Sequence, residues 1–323
     1  MTSRKAAFLV PGGIEAVTGG NLYDRYVIQS LRRGGWRVSM EEPDVPVDAD
    51  VVVVDSLAFT KGPPRTDARI VALAHQLPSA ANRRPEWEEP ERRTLAAASL
   101  VVVVSEHLRA TVRRFTHAPI EVIPPGRDHA STAEAATLEG KVVLCVANGV
   151  PGKGVPEAIR AFGDAGVRGA QFIIVGDPRK NEAEEARIRS AVSAADGTIR
   201  LAGVVDRDEL SQLYAASRLF LTASRYEGWP IAVAEAMASG LPIVGFDAPG
   251  VRELVRSGSD GVLVPPGDVA ALSRAIEHVF NDRTRARAMG NAARERALAW
   301  PTWEETGERF GSVMRTVATD AAF

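Results

Sequence analysis

Asp50 to Asp55 reads DVVVVD, and Ser99 to Glu106 reads SLVVVVSE. Four consecutive valines leave no polar face. A strand with one side in water would alternate apolar with polar residues, so these two must be covered on both faces, as in a parallel sheet flanked by helices. Outward from them the same grammar recurs: a Val/Ile-rich run, a polar or Gly/Pro turn, then an amphipathic segment of ten or more residues. Strands are expected near residues 6–10, 37–40, 51–54, 70–74, 101–104 and 121–123 in the first half. In the second half they are expected near 142–146, 171–175, 198–201, 219–222, 242–245 and 261–263. The fold class is therefore α/β, with two Rossmann-like, doubly wound domains facing across a cleft lined by the carboxyl ends of both sheets, where such sheets bind ligands.

Residues 124–141, rich in Pro, Gly and small polar residues, read as the linker. The expected domains are 1–130 and 131–302, with 303–323 an amphipathic helix packing across them. At 323 residues the chain exceeds what one core usually organises. A formal charge of −2 gives no reason to expect a nucleic-acid partner. The one cysteine, Cys145, excludes an internal disulfide and suits a reducing, cytoplasmic setting. No apolar run is long enough for a membrane span or a signal peptide, although peripheral membrane contact stays open. Arginine pairs at Arg83–Arg84, Arg92–Arg93 and Arg113–Arg114 could face lipid, yet Glu86, Glu88, Glu89 and Glu91 lie among them, and a solvated face is the plainer reading.

Four loops at strand ends carry chemistry. Gly19 and Gly20 precede a helix whose cap is expected at Asn21, with Asp24 three places on. They either make a tight turn or bring backbone N–H groups to an anion. Lys153, in the turn after strand 142–146, is one of five lysines against 34 arginines, which favours a chosen point charge for a diphosphate over a solvated surface cation. His75 follows a strand of the first half and could bond a hydroxyl, move a proton near neutral pH, or be a satisfied structural histidine. In RYEGWPIAVAEAMASGLPIV, Arg225 to Val244, Gly228 breaks the strand, Pro230 pre-sets a helix and Gly240 closes it, so Glu227 lies in the loop and Glu235 within the helix. Each carboxylate could complement the helix dipole, or the two could hold separated hydroxyls of one extended ligand.

The run EGWPIAVAEAMASGLP, Glu227 to Pro242, and its continuation FDAPGVRELVRSGSDGVLVPPGD resemble the retaining GT-B glycosyltransferases of family 4, with their Glu–seven residues–Glu motif. The resemblance implies a GT-B architecture, with the first domain on the acceptor side and the second binding a nucleotide-sugar. It implies that Glu227 contacts the transferred sugar, Glu235 the ribose, Lys153 and the Gly19–Gly20 amides the diphosphate, and that His75 sits beside the reacting sugar. Gly228, Trp229 and Pro230 belong to the same donor-binding motif. Asn148 stands where the family usually has a second diphosphate cation, an arginine.

The expected activity is transfer of a hexose-type sugar to a small-molecule, lipid or glycan hydroxyl, with retention and front-face attack. The donor is a nucleoside-diphosphate sugar. No cofactor and no metal are expected, since no His/Cys cluster has ligand spacing. A non-catalytic nucleotide-sugar or glycan-binding homologue is the alternative. An NAD-dependent oxidoreductase would need a Gly-x-Gly-x-x-Gly opening the first helix, and none is found there. The base, the sugar, the acceptor, the linkage and the oligomeric state have no signature in the sequence.

Overall fold

The computed structural model describes residues 4–15, 18–127, 136 and 138–319. The chain divides into two compact units, one made of Met1–Gly126 with Pro301–Phe323, the other of Arg127–Trp300. Half of the expected linker, residues 128–135 and 137, lies outside the described residues.

In the first unit the strands are β1 (Lys5–Leu9), β2 (Arg37–Glu41), β3 (Val51–Asp55), β4 (Arg69–Ala74), β5 (Leu100–Val103) and β6 (Ile120–Val122). They pair in parallel in the order β2-β1-β3-β4-β5-β6. The helices are α1 (Gly19–Arg33), α2 (Pro78–Asn82), α3 (Glu88–Ala97) and α4 (Glu106–Val112). Val51–Val54 and Leu100–Val103 are buried throughout, as runs without a polar face require. The chain reverses direction between β1 and β3, the switch point of this sheet.

The second unit holds β7 (Val142–Val146), β8 (Gln171–Val175), β9 (Thr198–Gly203), β10 (Ser217–Thr222), β11 (Ile243–Phe246) and β12 (Gly261–Val264). Their order is β12-β11-β10-β7-β8-β9, again parallel, which is the Rossmann order with its switch point between β7 and β10. Helices α5 (Val155–Asp164), α6 (Glu182–Ala194), α7 (Arg207–Ala216), α8 (Ile231–Ala238), α9 (Pro249–Leu254), α10 (Val269–Asn281) and α11 (Arg283–Leu298) cover it. All twelve expected strands are present, each with ends within about two residues of its sequence reading.

The last helix, α12 (Trp303–Thr319), groups with the first unit, where it lies along α1. Trp303 stacks on Tyr26 with ring centroids 4.3 Å apart. Gly307 lets the two backbones approach, because a Cβ there would fall 2.6 Å from that of Ser30. Phe310 is fully buried against Phe8 and Tyr23. This apolar seam fixes helix α1, and with it the residues at its start.

Candidate functional site

In the second unit the loops after β7 and β10 lie side by side at the switch point. The β7 loop turns through a short 3-10 segment, Pro151–Lys153, into Gly154 at φ +64°, from which α5 begins. Only glycine suits position 154: the conformation is left-handed, and a Cβ would lie 2.2 Å from the carbonyl oxygen of Ala223. The Arg225 N–H donates to the Gly152 carbonyl at 2.9 Å and ties the two loops together. That closeness brings the Lys153 Nζ to 2.6 Å from Glu227 Oε1. Glu227 is buried, and its carbonyl rests on α9, where Gly250 leaves room for it.

Pro230 is the residue just before α8, and its carbonyl accepts from Val233 and Ala234. At the far end the Gly240 N–H bonds the Met237 carbonyl and the Leu241 N–H that of Ala236, a Schellman closure with Gly240 at φ +79°. Glu235 therefore projects from a helix defined at both ends. The Tyr214 hydroxyl of α7 donates to Glu235 Oε2 at 3.0 Å. Burial, then the Glu235 charge, push the Tyr214 phenol well above its ordinary pKa, so it stays protonated and donates. Trp229 packs edge-on against Trp300, and Gly228 is buried beside Glu227. Asn148 Oδ1 accepts the Asp177 N–H at 2.9 Å, holding the β7 loop to the β8 loop.

In the first unit, the α1 cap is one turn earlier than the sequence suggests. Thr18, not Asn21, is the N-cap, and its hydroxyl accepts the Asn21 N–H. Gly19 and Gly20 are thus the first two helical residues, and since intrahelical bonding starts with Leu22 N–H to Thr18 O, their N–H groups have no intrahelical partner. His75 follows β4 directly. Its Nε2 lies 3.0 Å from Asp24 Oδ1 and 3.1 Å from Asp55 Oδ2, and both carboxylates are buried. Burial alone would push the His75 pKa down, but the Asp24 charge and the hydrogen bonds to both carboxylates outweigh it and raise it to about 10. Burial raises the Asp24 pKa, with His75 opposing. Two carboxylates at one nitrogen thus favour the protonated form of this imidazole.

Asp24, Asp55 and His75 are also the group of possible metal-ligating atoms that lie within 4.8 Å of one another among the described residues. Their separations are hydrogen-bond distances between a protonated ring nitrogen and carboxylate oxygens. The sequence carries two Asp-x-Asp tripeptides, 48–50 and 206–208, which the expectation of no metal overlooked, and both are engaged within the fold. At the amino end of β3, Asp48 and Asp50 bind the ammonium and the backbone N–H of Lys5. Asp206 of the other caps α7.

Sequence reasoning did not single out Asp55, Tyr214 or Gly250, and it saw Asp24 only as a capping partner. Asp55 carries the same strand-end signal as His75. Asp24 is a fully buried acid on a helix face it shares with Asn21, Tyr23, Val27, Ile28 and Leu31. Of the arginines at the surface of α3 and its approach, Arg84 is engaged by Glu86 and Arg92 by Glu89. Among the described residues no helix is long and apolar enough to cross a membrane.

Comparison with known proteins agrees with this architecture. The chain is similar to sucrose-phosphate synthase from Thermosynechococcus elongatus, with a TM-score of 0.83 at 21% identity over 99% of this chain and 100% of that one, which shows the GT-B fold. It is 25% identical to a GDP-mannose-dependent monoacylated alpha-(1-6)-phosphatidylinositol monomannoside mannosyltransferase from Corynebacterium glutamicum, over 77% of this chain and 70% of that protein. It is 27% identical to an exopolysaccharide phosphotransferase from Streptomyces coelicolor, but spans only 29% of that protein while 83% of this chain is covered. The family profile Glycosyltransferase Family 4 matches residues 22–131. The profile Glycosyl transferases group 1 matches residues 127–296, more than half of the chain and the whole of the β7–β12 sheet with its loops. The chain belongs to the glycosyl transferases of group 1.

Proposed function

We propose that the chain transfers a hexose-type sugar from a nucleoside-diphosphate sugar to a hydroxyl of a small molecule, lipid or glycan, with retention at the anomeric carbon and without a metal. The observation that carries this reading is the Lys153–Glu227 pair at the β7/β10 switch point, a cation and a hydroxyl acceptor on adjacent loops. Breaking the bond between the anomeric carbon and the phosphate leaves positive charge on the sugar and negative charge on the diphosphate. Lys153 answers the second, an electrostatic effect worth about 3 kcal/mol. Glu227 takes sugar hydroxyls, and Glu235, held by Tyr214, takes those of the ribose. In the first unit, the Gly19 and Gly20 amides are given to an anionic oxygen and His75 to a substrate oxygen. The acceptor attacks from the face that the diphosphate leaves, and its proton passes to the departing phosphate oxygen, so no protein base is needed. The buried free thiol of Cys145 suits a cytoplasmic setting.

The test is a thermal-shift screen of UDP, GDP, ADP and their sugars, followed by nucleotide release from the donors that bind. The wild-type chain is expected to bind one nucleoside diphosphate and release it in the presence of an acceptor, and Glu227→Gln to lose about a hundredfold in kcat. Near-normal turnover of Glu227→Gln at saturating donor removes the role assigned to that residue.

A further inference from the structure

The two nitrogens of His75 have different surroundings. Nε2 meets both Asp24 and Asp55 at hydrogen-bond distance. It must carry a proton, since a bare lone pair there would face two carboxylates. Nδ1 has no hydrogen-bond partner among the described residues, and the side chain keeps 11% of its surface exposed, so Nδ1 is the outlet of the ring. Rotation is blocked on the other sides. Tyr23 packs edge-on with centroids 5.1 Å apart, and the ring lies so close to α1 that a Cβ on Gly20 would sit 3.1 Å from its Cδ2.

A histidine with one carboxylate partner is the usual general base: the acid fixes the tautomer and the far nitrogen takes a proton. Here the second carboxylate changes the chemistry. We infer that Asp24 and Asp55 are positioning residues that together keep His75 an imidazolium, so that its Nδ1–H is a fixed cationic donor to a substrate oxygen and not a proton acceptor. This rests on the proposed transfer reaction, in which the departing phosphate takes the acceptor proton. The charged and titratable groups around the ring are Asp24 and Tyr23 from α1 and Asp55 at the end of β3, with Arg309 of α12 acting on Tyr23. Tyr23 is itself pushed well above its ordinary pKa by burial, so it stays neutral. Among the described residues Asp24 Oδ2 is buried without a hydrogen-bond partner, which leaves the imidazolium as that carboxylate's counter-charge.

The direct test is nitrogen NMR of the full chain with labelled histidine, the His75 signal being assigned by its loss in His75→Gln. Both ring nitrogens are expected to keep imidazolium shifts from neutral pH to about pH 9. A midpoint near the ordinary histidine value, or a neutral tautomer at neutral pH, overturns the inference without touching the proposed function. The second arm is the pH profile of nucleotide release from UDP-glucose or GDP-mannose, whichever the chain uses. In Asp55→Asn the ring loses one anion and its pKa falls, so kcat/KM is expected to drop about tenfold between pH 7 and pH 9 where wild type stays level. A gain for Asp55→Asn at neutral pH would identify His75 as a base and sink the proposal. Failure of the chain to bind or cleave any donor would instead sink the proposed reaction, with the NMR result still standing.

Discussion

Gly250→Ala tests the supports of Glu227 without altering any charged group. A methyl at position 250 would lie 2.3 Å from the Glu227 carbonyl oxygen, 2.8 Å from its carbonyl carbon and 3.0 Å from its Cβ. The obstacle is mostly backbone, so no flexible side chain can swing away. To reach even the shortest tolerated carbon–oxygen contact, α9 and the Glu227 peptide must separate by about 0.7 Å, and a comfortable contact needs about 1 Å. The Glu227 side chain moves with its backbone, which shifts its carboxylate relative to Lys153 and to the position it needs for a sugar hydroxyl. Displacements of about 1 Å near reacting groups cost on the order of a hundredfold in rate, and overpacking of this kind costs about 1–3 kcal/mol in stability. The expected result is a chain that folds, melts lower than wild type, and shows kcat/KM for nucleotide release down about a hundredfold. Gly311→Ala is the control: it lies inside α12, its nearest neighbour is the Arg315 guanidinium at 3.5 Å, and helix propensity favours alanine by roughly 0.5–1 kcal/mol. If Gly250→Ala keeps kcat/KM within about twofold of wild type, the main-chain position of Glu227 does not govern turnover and the argument fails.

Tyr214→Phe removes the hydroxyl that aims Glu235 and is expected to weaken nucleoside diphosphate binding about tenfold to a hundredfold, the worth of one hydrogen bond to a charged group, with kcat nearly unchanged. Calorimetry with the ribonucleotide and its 3′-deoxy analogue checks it, since a purely structural loss would weaken both equally. Phe310→Ala should destabilise the first unit by about 3–5 kcal/mol in denaturant melts, because the ring is fully buried among Phe8 and Tyr23. The His75 pKa in the folded chain lies above its ordinary 6.5, at about 10, so its contribution to stability is complete below pH 6.5 and is lost as pH rises through 10. Wild-type melting temperature should therefore fall across that window by more than that of His75→Gln, and parallel curves for the two would contradict the assignment.

The strands were legible because their signal is local. A run such as Val51–Val54 has no polar face, so its burial on both sides follows from composition alone, and β-branched residues confirm the extended backbone. Lys153, Glu227 and His75 were legible for a related reason: in doubly wound sheets the carboxyl ends of strands are where loops meet, and each residue follows a strand that the periodicity reveals. What stayed hidden depends on pairs distant in sequence. Asp24 and Asp55 reach His75 across 51 and 20 positions, and no spacing rule links them. Tyr214 approaches Glu235 from another helix, and Gly250 matters only because α9 rests on the Glu227 carbonyl. The cap of α1 was misplaced for a subtler reason. Thr18 and Asn21 are both good caps, and two glycines between them read more readily as loop than as helix, since glycine is poor in a helix interior but tolerable in its first turn.

The Lys153–Glu227 contact has a consequence for how the donor must bind. Lys153 keeps 34% of its side chain exposed and Glu227 11%, so the pair is only partly shielded from water and is worth on the order of 1 kcal/mol. In the free chain each group is thus the partner of the other, and on the donor reading both must be released when substrate arrives. A ligand with a diphosphate and a sugar replaces both partners at once. A free nucleoside diphosphate engages Lys153 and leaves a buried carboxylate with no counter-charge, which costs about 1–3 kcal/mol. A free sugar has the opposite defect. On the proposed reading the pair would favour the intact activated sugar over either fragment, and re-forming the 2.6 Å contact after the bond to phosphate breaks would help to expel both products. An ion pair that looks like a structural staple in the free chain is, on this argument, a device that prefers the substrate to what is made from it.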